Sequence, residues 1–89
     1  MKVSNHFILR KIAHEHLLIP VGEAALDVKG LIAISESGVM LYQKLQTGCT
    51  REDLIAALVA EYEVSEAVAA EDTEAFLNQM RQLHMLVED

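Results

Sequence analysis

The sequence predicts a single α+β domain in which a three-stranded antiparallel sheet is followed by three helices. Three observations carry this expectation. The first third of the chain holds short apolar runs at residues 7–12, 16–21 and 28–34, separated by turn residues. From Ser35 onward apolar residues recur at helical spacing instead. Ser35, Thr50 and Ser65 each stand just before such a pattern, where a hydroxyl can accept from an orphan N–H of the first helical turn.

The run at 7–12 is rich in strand formers and is interrupted by Arg10 and Lys11. His14 and Glu15 separate it from the run at 16–21, a spacing short enough for a hairpin. Pro20 lacks a ladder donor, so it belongs near a strand end or on an edge. Gly22 and Glu23 turn the chain, and residues 24–27 lead into a third strand at 28–34. Gly30 within that run marks a bulge or a close backbone approach.

The first helix is expected over 35–46, with Val39, Met40, Leu41, Tyr42 and Leu45 as its apolar set and Gly48 closing it. The second opens at Thr50, where Asp53 can reach back as a shortened capping box. Its stripe is Leu54, Ile55, Leu58, Val59 and Tyr62. The third and longest begins at Ser65, with Glu66, Glu71 and Asp72 in its early turns. Its expected stripe is Val68, Phe76, Met80 and Leu83, with Thr73 and Leu77 on one flank and Ala75 on the other. Asp72 lies four residues from both Val68 and Phe76. It therefore faces inward or edges a groove, or else it is an exposed acid favouring the helix dipole. Met85, Leu86 and Val87 are too apolar for a loose tail and are expected to dock. Strands then helices within 89 residues suggest a winged helix-turn-helix-like domain spanning 1–89.

Composition narrows the function. Aromatics are only 4% while apolar residues reach 52%, so the core must be aliphatic. No apolar stretch approaches the roughly 20 residues that cross a bilayer, and Ser4, Asn5 and His6 follow Lys2 where a signal peptide would need its apolar segment. Cys49 is alone, which excludes an internal disulfide and suits a cytoplasmic protein. Residues 1–48 hold five basic and four acidic side chains, whereas residues 49–89 hold two basic and ten acidic ones, a net of −8. An acidic helical half repels phosphates, so nucleic acid is an unsuitable partner and a protein or peptide is favoured.

Catalytic and metal motifs are weak. His14 and His16 can share one face of an extended segment, but zinc takes three or four ligands, and His6, His84 and Cys49 lack motif spacing to the pair. A solvated hairpin is the expected role, and no metal or cofactor is expected. Cys49 has no evident base and reads as a structural thiol. Ser37 lies between Glu36 and Gly38 rather than in the Asp-Ser-Leu context of a phosphopantetheine serine. The chain is not expected to be an enzyme. Its working surface is expected at the junction of the third strand with the first helix, where an extended peptide can be captured.

The ordered set Phe7, Leu9, Arg10, then Leu18, Ile19, Pro20, Val21, Gly22, then the stretch from Gly30 to Gly38 resembles pyrroloquinoline quinone synthesis protein D-like (PqqD-like) domains. Gly48, Cys49, Thr50, Leu54, Leu58, Tyr62, Val64, Asp72, Phe76, Leu77 and Leu83 continue the resemblance over nearly the whole chain. The resemblance implies a RiPP recognition element, a winged helix-turn-helix module. Such modules bind the leader of a ribosomally made precursor peptide and present it to a modifying enzyme, often a radical SAM enzyme. It implies that the leader adds as a strand at Leu31, Ile32, Ala33 and Ile34, facing Asp72, Thr73, Phe76, Leu77 and Met80. Ser35 stands where the family commonly has Asn, Thr73 where it has an aliphatic residue, and His84 where it has Gly. The alternatives are a winged-helix DNA-binding regulator and a structural subunit that dimerises through the strand edge. Against the first, residues 65–83 carry Arg81 as their only basic residue. The protein is expected to be a monomer or weak homodimer.

Overall fold

The computed structural model of the protein describes residues 1–27 and 30–88. Strands β1 (Lys2–Val3), β2 (Phe7–Ile12) and β3 (Glu15–Pro20) are followed by a single helical turn α1 (Ala24–Asp27) and a short strand β4 (Ile32–Ile34). Helices α2 (Glu36–Thr47), α3 (Arg51–Tyr62) and α4 (Glu66–Gln82) come next, and β5 (Leu86–Val87) ends the order. The expected three-stranded antiparallel sheet is present as β2-β3-β4. Beside it β1 and β5 form a second, two-stranded sheet, Lys2 opposite Val87 and Val3 opposite Leu86. The expected docking of the tail takes this form, with Met85 wholly buried beneath it.

Local chemistry explains the boundaries. The β2–β3 hairpin closes on Ile12 and Glu15 with Ala13 and His14 as a two-residue loop. Ala13 takes φ 56°, the positive value that such turns demand at one or both loop positions. Three hydroxyls cap the long helices: Ser35 accepts from the Gly38 N–H, Thr50 from Asp53, and Ser65 from Val68. Asp53 returns the bond by accepting from the Thr50 N–H at 3.0 Å, completing the capping box. Each such cap stabilises its helix by about 1 kcal/mol.

Two expectations need correction in the first half. Residues 24–27 form a helical turn, with the Ala25 N–H donating to the Gly22 carbonyl. The third strand is also shorter than 28–34, since β4 holds only Ile32, Ala33 and Ile34. Gly30, at φ 92°, lies in a bend before it, and Val28 and Lys29 fall outside the described residues.

The core is mainly aliphatic, with Phe7, Tyr42 and Phe76 as its aromatic members. Leu18 from the sheet meets Leu41, Tyr42 and Leu45 of α2, Leu54 and Leu58 of α3, and Ala69, Leu77 and Met80 of α4. Burying each of the large aliphatic side chains contributes about 1.5–3 kcal/mol. The phase of α4 differs from the expected stripe. Its buried residues are Ala69, Thr73, Phe76, Leu77 and Met80, whereas Val68 is exposed. Phe76 and Met80 are common to both sets, but the stripe is turned by roughly 60°, somewhat more than half of one residue's step of about 100°, toward Ala69, Thr73 and Leu77, so the last two belong to it rather than to a flank. Tyr62, expected in the α3 stripe, is 39% exposed.

Candidate functional site

The position of β4 at the end of the sheet leaves one of its edges without a neighbouring strand among the described residues. Which backbone groups face that edge follows from the ladder. The Val21 N–H donates to the His6 carbonyl at 2.8 Å, so residues 6 and 21 form a hydrogen-bonded pair. Hydrogen-bonded and non-bonded pairs alternate along an antiparallel ladder. Given the register, Ile8 with Ile19, Arg10 with Leu17 and Ile12 with Glu15 are bonded pairs too. His16 and Leu18 therefore turn their N–H and C=O groups toward β4, where they meet Ile34 and Ile32. Ala33 is left with its N–H and C=O directed at the open edge.

Directly after β4, Ser35 and the N-terminus of α2 enclose with the side of α4 a groove of about 300 Å³. Leu41 and Phe76 line it as apolar walls, and Ser35, Ser37, Asp72 and Gln79 supply polar groups. Gly38 sets its width. A Cβ there would lie 3.3 Å from the Phe76 ring and 3.2 Å from Ser35 Oγ, closer than nearly all real contacts of that kind. The Ser35 and Ser37 hydroxyls are 3.2 Å apart, so one of the two accepts from the other while Ser35 also caps α2.

The structure brings together only part of the residue set expected to bind peptide. Ile32, Ala33 and Ile34 form β4, and Leu31 precedes it with 57% exposure. Asp72 and Phe76 line the groove. Thr73, Leu77 and Met80 are wholly buried, so they support the groove from beneath and present no surface to a ligand. Leu77, expected on a flank of the α4 stripe, is thus a core residue, buried more completely than Phe76. Ser35, Ser37, Gly38, Leu41, Ala75 and Gln79 line the groove without having been singled out as binding residues. Most are polar or small, and the groove exists only where two helices meet. Their signal in the sequence is confined to the cap pattern at Ser35.

The other chemistry-bearing residues lie elsewhere. Cys49 is half-buried, and burial, with Asp53 adding to it, pushes its thiol pKa up against the opposing pull of the N-terminal ammonium and Lys44. A thiol so held is a poor nucleophile. His14 occupies the hairpin loop and His16 sits on β3. Among the described residues no three His, Cys, Asp or Glu side chains converge as a metal site requires. No described helix is long and apolar enough to cross a membrane.

Comparison with known proteins bears on this geometry. The solved structure of TbiB1 in complex with the TbiA(beta) leader peptide is similar at a TM-score of 0.76, with 23% identity and both chains covered in full. At that identity the likeness is one of fold. No curated protein sequence matches. A family model described as coenzyme PQQ synthesis protein D (PqqD) matches residues 15–86, from β3 through β5. With that match spanning the open edge, the groove and all three long helices, the chain belongs to the PqqD family.

Proposed function

We propose that the domain is a non-catalytic peptide chaperone. It takes the leader of a ribosomally synthesised precursor as an added strand on β4 and presents it to a peptide-modifying enzyme, of which a radical SAM enzyme is the favoured kind. The observation that carries this reading is the outward-directed backbone of Ala33, two residues before Ser35, which lines the groove of Leu41 and Phe76. Main-chain bonds at such an edge are indifferent to sequence, while adjacent pockets confer choice. The family and the TbiB1 fold, seen there with a leader peptide, support it.

Magnitudes set what the site must do. Each added main-chain hydrogen bond nets about 0.5–1.5 kcal/mol, and ordering a disordered leader costs on the order of 2–5 kcal/mol. A three-residue strand offers few such bonds. Micromolar affinity, about −8 kcal/mol, therefore requires apolar burial in the groove as well as the edge. That strength suits a carrier whose product must leave. Titration of ¹⁵N-labelled protein with synthetic leaders from precursor genes in the same neighbourhood tests the reading. Saturable micromolar binding that shifts the amides of Ala33 and Phe76 is expected, and binding that leaves both unmoved would place the peptide elsewhere.

A further inference from the structure

A second hollow of about 340 Å³ continues the groove, sharing Ser35, Ser37 and Asp72 with it. Leu58, Tyr62 and Val64 line this hollow, and Glu36 and Asp72 stand at it as its two acids. Both carboxylates are exposed, and among the described residues neither has a hydrogen bond or ion pair. What sets these two apart from the other exposed acids is that they line the hollow, whereas three acids of the helical half are held by partners. Glu74, on the same helix as Asp72, pairs with Arg51 and Arg81, and Glu88 pairs with Arg81. Asp53 is committed to the α3 cap.

An apolar lining, a half-exposed aromatic ring and two unengaged carboxylates suit one ligand chemistry, a long cationic side chain. Its methylene stem can lie on Leu58 and Val64 while its head stays polar. The ring of Tyr62 attracts the same charge. The α2 N-terminus opposes a cation with about half a positive charge, which the two full negative charges of Glu36 and Asp72 outweigh. An acidic side chain is excluded by the same balance.

A peptide strand running along α4 would meet the apolar groove and this hollow in turn. Asp72 and Phe76 are one helical turn apart, about 6 Å along the α4 axis. Same-face side chains of a strand repeat at about 6.6 Å. We infer that the peptide taken at the β4 edge carries a Lys or Arg two residues from an apolar side chain. The apolar side chain seats against Phe76, and the cation enters the hollow of Leu58, Tyr62 and Val64 between Glu36 and Asp72. This selectivity rests on strand addition at β4 and goes beyond it by naming the side chains chosen.

Panning a phage library of random linear peptides against the protein tests it. Recovered peptides are expected to share a Lys or Arg two positions from an aliphatic or aromatic residue. Replacing that cation by Gln, or using the Glu36→Gln/Asp72→Asn double variant, should each weaken binding about tenfold. The two changes together should cost little more than either alone, and high salt should weaken only the cationic peptides. Both substitutions are at exposed positions, and circular dichroism checks the fold. Peptides that bind through Ala33 but lack the cation, or that ignore the double variant, would overturn the selectivity and leave strand addition standing. Recovery of no peptide, or of peptides indifferent to Ala33→Pro, would overturn strand addition and the selectivity with it.

Discussion

Gly38 on α2 and Phe76 on α4 are packed so closely that a Cβ on the glycine would stand 3.3 Å from Cε1 of the ring. This contact joins the helix that starts at the open strand to the helix that walls the groove. A Cβ here already crowds the Phe76 ring and Ser35 Oγ, and valine adds two further carbons to it. Gly38→Val is expected to destabilise the domain by about 1–3 kcal/mol, read from urea melts. Unchanged stability would mean that the crossing is looser than its geometry implies.

Thr73 is wholly buried, and its hydroxyl has no hydrogen-bond partner among the described residues. An unsatisfied buried hydroxyl costs about 1–3 kcal/mol, and valine has nearly the same shape. Thr73→Val should therefore raise stability by about 1 kcal/mol, or Tm by roughly 4–8 °C for a domain of this size. A lower Tm would show that the hydroxyl has a partner.

Leu77 and Ala75 separate core from groove. Leu77 is wholly buried, so Leu77→Ala should cost about 2–5 kcal/mol. Ala75 is exposed and lines the groove. Ala75→Trp should fill the groove, leave thermal stability near the wild type and weaken leader binding by at least about tenfold, or 1.4 kcal/mol. Equal affinity measured by calorimetry would take the peptide out of this groove.

How much of this was legible in the sequence depends on the range of the interaction concerned. The caps at Ser35, Thr50 and Ser65 are local, three-residue chemistry, and all three helices start where they predict. The phase of α4 was misplaced because Ala69 and Thr73 carry little hydrophobic signal, whereas the exposed Val68 carries a strong one. Strands β1 and β5 have two residues each, too few for alternation to register, and they exist only through pairing across the whole chain. The edge at β4 was legible as an apolar run, but the direction of its donors required the ladder register set by Val21 and His6.

Asp53 offers a pH test. The hydrogen bond it accepts from the Thr50 N–H holds its carboxyl below the ordinary range, with the Thr50 side chain adding to the effect. A carboxyl with a depressed folded-state pKa contributes stability above its unfolded value, about 3.9. That contribution is lost as pH falls through the lower folded value. Asp53→Ala should thus lower Tm at neutral pH, and the gap to the wild type should narrow as pH drops below about 4. A gap constant with pH would mean that the charge on Asp53 does not enter the cap.

The most direct measurement is a proline scan through β4, reading fold by circular dichroism and binding by titration with a leader peptide. Ile32 and Ile34 give their N–H groups to β3, so proline at either position removes a ladder bond and should unfold the domain. Ala33 directs its N–H outward, where proline is tolerated on an edge strand. Ala33→Pro should therefore remain folded and lose leader binding. An Ala33→Pro protein that is folded and binds the leader as tightly as the wild type would contradict strand addition at β4.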